Sequence, residues 1–203
     1  MDLKVETEEK ILQAAKTVFQ QKGFDGTRMQ DIADEAGINK ALLHYYFRSK
    51  DRLFEEVFRD AFRKFFPKVQ EIMTSDIPLA NKIESFIDKY IDLLIDNPIL
   101  PIFILNEVNR NPDKISEIMN LQVINPGLLF GSIIKEIDQG NIRKADPRHL
   151  IISIIGMCVF PFAAKPIIKN FLFNNSEEEF EKFLAQRKKE ITELVLKSIT
   201  NTK

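Results

Sequence analysis

Residues 11–58 read ILQAAKTVFQQKGFDGTRMQDIADEAGINKALLHYYFRSKDRLFEEVF. Apolar residues recur there at three- and four-residue spacing in short runs punctuated by glycine, the pattern of small amphipathic helices. Ile11, Ala14, Ala15, Val18 and Phe19 make one face of a helix predicted over residues 7–22, with Thr7 as its N-cap, Glu8 and Glu9 at its positive end and Gly23 as its stop. Thr27 and Gln30 have the spacing of a capping box and open a second helix, whose inner stripe is Met29, Ile32, Ala33 and Ala36 before Gly37. Asn39 caps a third short helix over 40–47. Only Gly37, Ile38 and Asn39 separate the second helix from the third, which forces their axes to a sharp angle, the geometry of a helix-turn-helix. A fourth helix opens at Ser49. Its apolar face (Leu53, Phe54, Val57, Phe58, Ala61, Phe62, Phe65, Phe66) is longer than three small helices can cover, so it links the N-terminal unit to a second one.

Beyond residue 66, turn-forming clusters at Ser75 to Pro78, Asn97 to Pro101, Asn111-Pro112, Asn125 to Gly127, Gly140 to Pro147 and Asn174 to Ser176 separate further segments of helical period. No useful alternating strand pattern appears, and the predicted fold is all-α. Asp146-Pro147 supplies a cap followed by proline at the first helical position, opening an apolar helix through Ile151, Ile152, Ile154, Ile155, Val159 and Phe160 that Pro161 is expected to kink. Ser176 and Glu177 to Glu179 open the last helix, on which Phe180, Phe183, Leu184, Ile191, Leu194, Val195 and Ile199 face one way. Two such helices from each of two chains would close a four-helix bundle, so a homodimer through the last two helices is expected; the alternative is packing within the monomer alone.

The 203 residues are 44% hydrophobic and 29% charged, with 29 Lys plus Arg against 30 Asp plus Glu. That composition excludes disordered, collagenous and disulfide-scaffold classes. With a net charge of -1, any attraction for nucleic acid must come from a local cluster. One exists: between positions 40 and 52, Lys40, Arg48, Lys50 and Arg52 face a single acid, Asp51. The lone Cys158 lies in an apolar run without a neighbouring base and reads as an inert thiol. The apolar run from Leu150 to Ala164 contains Pro161 and falls short of the roughly 20 residues that a membrane span needs. A buried helix is expected there, no membrane association, and with no leader-like start a cytoplasmic location. Only His44 and His149 occur, and there is no GxSxG elbow, P-loop or CxxC pair, so neither enzyme chemistry, nor a cofactor, nor a metal is expected.

The quoted stretch resembles the DNA-binding domain of the TetR family of transcriptional regulators. The resemblance rests on Lys22-Gly23-Phe24 after the first helix, the Thr27 position, Ile32-Ala33, Ala36-Gly37-Ile38 through the turn, Tyr46-Phe47 closing the third helix and Ser49-Lys50 opening the fourth. Beyond it, Gly140-Asn141-Ile142-Arg143 to Asp146-Pro147 resembles the family's entry into a penultimate helix. The resemblance implies a helix-turn-helix DNA-binding domain over 1–52 and an all-helical effector-binding and dimerisation domain over 53–203. It further implies a homodimer on a double-stranded operator, most often a repressor. The family-like positions for base or phosphate contact are Thr27, Arg28, Gln30, Lys40, Ala41, Leu42, His44, Tyr45 and Lys50. His44 stands where tyrosine is frequent and Leu42 where a small or polar residue is frequent.

The residues themselves support this assignment. Leu43 and Phe47 are spaced to face the small core, leaving Lys40, Ala41, Leu42, His44 and Tyr45, together with Gln30, for the groove, while Tyr46 packs on the first helix. Lys50 with the free N–H groups of the fourth helix would clamp one phosphate, and Thr27 with Arg28 another. Lys40 suits guanine, His44 a phosphate or base acceptor, and Leu42 a thymine methyl. Fourteen of the seventeen phenylalanines lie beyond Ser49. Phe86, Phe103 and Phe130 therefore line either a cavity for a hydrophobic or amphipathic small molecule or a filled core. A DNA-bound adaptor of the same fold that recruits a protein partner, without a small-molecule ligand, is the alternative function.

Overall fold

The computed structural model describes residues 3–110, 113 and 126–200. Among them are ten α-helices and no strand: α1 (Leu3–Gly26), α2 (Met29–Glu35), α3 (Lys40–Tyr46), α4 (Lys50–Thr74), α5 (Leu79–Asp96), α6 (Leu100–Arg110), α7 (Pro126–Asp138), α8 (Pro147–Ala163), α9 (Lys165–Phe173) and α10 (Glu177–Ile199). The predicted breaks at Asn111-Pro112 and Asn125 lie outside the described residues. No single helix among the described residues is long and apolar enough to cross a membrane.

Local signals set most helix ends. Asn39 Oδ1 accepts from Leu42 N at 2.7 Å, Ser49 Oγ from Arg52 N at 3.2 Å, Asp146 Oδ1 from Arg148 N at 2.9 Å and Ser176 Oγ from Glu179 N at 3.2 Å, each relieving an orphan donor of a first turn. Two expectations are corrected. Helix α1 starts at Leu3, so Thr7 lies inside it and is not its cap. The cap of α2 is Arg28, whose N–H donates to Asp31 Oδ2 at 2.9 Å, one residue later than the expected Thr27 and Gln30 pair. The shift follows from Gly23, whose φ of 69° and ψ of 175° leave the helical region and turn the chain so that Thr27 points inward.

Ile11, Ala15, Phe19, Ile32, Ala33, Leu43 and Phe47 close a small core under α4, to which Leu53 belongs. Helix α4 is continuous across residues 52 and 53, and its aromatic residues serve both halves of the molecule. Phe54 meets Phe19 at 4.7 Å and Phe24 at 4.6 Å on the N-terminal side. On the other side Phe103 of α6 lies 5.0 Å from Phe54 and stacks on Phe58 at 4.2 Å. Phe103 is thus a buried core residue joining the halves, not the wall of an open cavity. Phe86 is half-buried among Phe65 and Tyr90, and Phe130 is half-buried.

Charged side chains lock the larger half. Lys82, buried on α5, donates to Met73 O at 2.8 Å and to Ser132 Oγ at 3.4 Å, placing a cation on the negative end of α4 and tying it to α7. Lys188 of α10 binds Asp88 at 2.6 Å and Asp92 at 2.5 Å on α5. Pro161 has no N–H for the Met157 carbonyl one turn earlier, and Arg187 Nη2 of α10 reaches that carbonyl at 3.4 Å. The helix continues to Ala163 before the chain turns by 76° into α9.

The apolar stripe of α10 is spent largely inside the monomer. Phe180, Leu184, Ile191, Val195 and Ile199 are buried, Phe183 is half-buried, and Leu194 is the exposed member. The unpaired apolar surface at this end instead belongs to α8 and α9, which leave Ile152, Ile155, Phe160, Ile167, Phe171 and Leu172 exposed.

Candidate DNA-binding interface

Helix α3 is sharply two-sided. Leu43 is fully buried and Phe47, which caps it, is 5% exposed. Lys40, Ala41, His44 and Tyr45 face solvent, Tyr45 at 74%, and Leu42 is half-buried. Tyr46 is half-buried against the core and shares with Glu8 of α1 the wall of a shallow groove. On the exposed flank of α2, Gln30 Nε2 donates to Asp34 Oδ1 at 2.7 Å, leaving its carbonyl oxygen and second N–H available.

Two acids of this face, Asp31 and Asp34, are occupied internally. The Arg28 N–H and then the Lys22 ammonium, 3.0 Å away, hold the Asp31 carboxyl below the usual carboxylate range. Lys40, Arg48 and Arg52 are exposed and make no ion pair among the described residues, so their charges remain available to phosphate. The first two N–H groups of α4, at Lys50 and Asp51, have no intrahelical partner by the geometry of a helix start.

Three of the expected contact residues have prior commitments. Thr27 is 2% exposed; its hydroxyl donates to Gly23 O at 2.6 Å and its N–H to Phe24 O at 3.3 Å, so both donors are spent within the fold and it cannot clamp a phosphate. Lys50 Nζ donates to Phe24 O at 2.7 Å and Thr27 O at 3.0 Å and sits 4.3 Å from the centre of the Phe24 ring. It is a staple that clasps the α1–α2 turn to the start of α4, with one N–H left over. His44 Nδ1 lies 3.3 Å from Arg48 O; a carbonyl only accepts, so in this contact Nδ1 donates and Nε2 is the ring nitrogen left for DNA.

The staple differs from the role expected of Lys50, although the sequence carries a signal for it. A glycine stop leaves turn carbonyls without helical partners, and a lysine opening a nearby helix is a donor of suitable length. Phe103, far away in sequence, carried no signal of its packing against Phe54 and Phe58.

An exposed, capped helix held across a tight turn from a half-buried support helix, with unpaired basic residues on its flanks, defines a helix-turn-helix DNA-binding protein. Residues 11–57 match the family of bacterial regulatory proteins termed the tetR family. The chain is 28% identical over 182 residues to the probable HTH-type transcriptional regulator YttP of Bacillus subtilis (strain 168), covering 88% of this chain and 87% of that protein. It is 30% identical over 148 residues to the HTH-type transcriptional regulator RutR of Escherichia coli (strain K12), covering 71% and 68%. The transcriptional regulator FadR from Bacillus subtilis, solved in complex with stearoyl-CoA, shares the fold with a TM-score of 0.67 at 21% identity, over 92% of this chain and 96% of that one. The chain belongs to the TetR family and is a transcriptional regulator.

Proposed function

We propose that two copies of this chain bind a palindromic operator as a repressor, each laying α3 in a major groove, and that a hydrophobic or amphipathic small molecule releases them. The observation that carries the DNA reading is the division of α3, with Leu43 and Phe47 inside and Lys40, Ala41, His44 and Tyr45 outside. Gln30, Lys40, Ala41, Leu42, His44 and Tyr45 read bases. Arg28 and the free N–H groups at the start of α4 hold phosphates, while Lys50 stays committed to the α1–α2 turn. His44, whose Nδ1 lies against Arg48 O, turns Nε2 toward the groove, and half-buried Leu42 favours a thymine methyl.

The functional halves are residues 1–52 and 53–203, coupled by α4. An effector acts by favouring a dimer whose recognition helices are wrongly spaced for adjacent grooves, about 34 Å apart. The aromatic contacts from Phe103 through Phe58 and Phe54 to Phe19 are the packed route for that coupling. The aromatic surface at Phe65, Phe86 and Tyr90, and the acyl chain held by the similarly folded FadR, support an effector of fatty-acyl character. Selection of sites from random duplex DNA at two salt concentrations tests the reading. A palindrome whose affinity falls steeply with salt is expected, and no enriched motif from a folded dimer would refute sequence-specific binding.

A further inference from the structure

We propose that α9 is an exchanged arm: in the dimer, Ile167 and Phe171 of each protomer pack into the partner's groove between the first half of α8 and the last turns of α10. The inference rests on the two-fold dimer proposed above and adds its register. Helix α9 buries none of its nine residues, yet it is tied to α10. Lys165 and Lys169 both bind Glu177, at 2.5 and 2.9 Å, and the Phe173 ring packs on Phe180 and Phe183 at 5.8 and 5.3 Å. These contacts take one side of the helix and present Ile167 and Phe171, one turn apart, on the exposed side. A helix that offers isoleucine and phenylalanine to water at 73% and 85% exposure is a surface suited to burial.

The matching concavity lies at the other end of α8. A groove of about 360 Å³ runs between α8 and α10, walled by Leu150, Met157, Leu194 and Ile199 with Ser153 and Ser198 among its polar members. The groove begins at the first turns of α8, and the arm follows its last turn, about 25 Å further along a helix of 17 residues. A two-fold axis crossing α8 near its middle makes the two copies antiparallel, so that each arm reaches the other protomer's groove. Gly156 lies near that middle, exposed, and a Cβ built on it would meet nothing within 4 Å, leaving room for the two backbones to approach. Ile152, Ile155 and Phe160 flank it.

The available area agrees. Ile152, Ile155, Phe160, Ile167, Phe171, Leu172 and Leu194 are each between 39 and 85% exposed. Taking on the order of 200 Å² for a fully exposed side chain of this size, they offer roughly 900 Å², enough to supply the about 800 Å² that one partner contributes to a stable interface. A parallel pairing about an axis along α8 would set arm against arm and leave both grooves open.

Cross-linking and sedimentation test the register. Full-length F171C and S198C chains with different tags are co-expressed, purified as a mixed species and oxidised; native Cys158, 1% exposed, does not compete. A disulfide joining F171C to S198C in trans is expected, and F171C self-cross-linking, or none in trans, overturns the arm. In sedimentation equilibrium F171E is expected to weaken the dimer at least tenfold with unchanged helix content, because Phe171 is exposed in the monomer. An F171E dimer as tight as wild type would overturn the arm while leaving the dimer intact. A wild-type chain that stays monomeric would overturn the dimer reading itself and the arm with it.

Discussion

Replacing Lys50 with methionine keeps the length of the side chain and removes the ammonium group that clasps the α1–α2 turn. The wild-type group makes two charge-assisted hydrogen bonds, of 2.7 and 3.0 Å, and one ring contact at 4.3 Å. At about 1.5–3 kcal/mol per hydrogen bond and about 0.5–1 kcal/mol for the ring contact, the gross loss is roughly 3.5–7 kcal/mol. The site is half-buried, so water re-solvates part of the freed carbonyls, and the net cost falls to about 2–3 kcal/mol. For a chain of this size that lowers Tm by roughly 4–12 °C in a thermal melt followed by circular dichroism. The companion measurement is the slope of log K for operator DNA against log salt. Removing one phosphate-neutralising cation from each protomer reduces that slope by about 1.8, whereas removing a staple that touches no phosphate leaves it nearly unchanged. K50M is expected to lose thermal stability with little change in slope, and R28M, on the exposed flank, to do the opposite. An unchanged melting temperature in K50M together with a slope reduced by about 1.8 would refute the staple and return Lys50 to the phosphate.

Gly23→Ala is expected to cost about 1–3 kcal/mol in urea denaturation, because φ of 69° with ψ of 175° is a conformation nearly reserved for glycine. An added Cβ meets no atom within 4 Å, so the loss is conformational and steric relief elsewhere will not restore it. The Arg148 guanidinium, followed by the Arg148 N–H, draws the Asp146 carboxyl from 3.8 to about 2. A depressed carboxylate contributes stability above its unfolded pKa and loses it as pH falls through the folded value. Asp146→Asn, which keeps a capping oxygen, should therefore be less stable than wild type above pH 4 and converge with it only as pH falls below about 2 in acid titration. Burial pushes the Cys158 thiol up to about 12. It is expected to resist a thiol-specific disulfide reagent at neutral pH in the native protein and to react on addition of denaturant; rapid native labelling would contradict its buried placement.

The readings that held depend on neighbours a few residues away. Asn39, Ser49, Asp146 and Ser176 cap their helices because a short polar side chain reaches the N–H two or three residues on, whatever the rest of the chain does. The inward faces of α1 to α3 follow from helical period in the same way. The capping box expected at Thr27 and Gln30 forms one residue later, where Asp31 accepts from the Arg28 N–H, because the turn at Gly23 buries Thr27.

Local pattern was enough for the all-α class, the helix-turn-helix and the solvent face of the recognition helix, since each follows from periodicity and caps within a few turns of chain. Only the packed fold commits Lys50 to the carbonyls of Phe24 and Thr27, stacks Phe103 on Phe58, and closes the stripe of α10 within the monomer so that α8 and α9 face outward. The reason is that an apolar stripe or a charged side chain specifies only that it must find a partner. Which surface, 20 to 50 residues or more along the chain, supplies that partner depends on how all the helices pack at once.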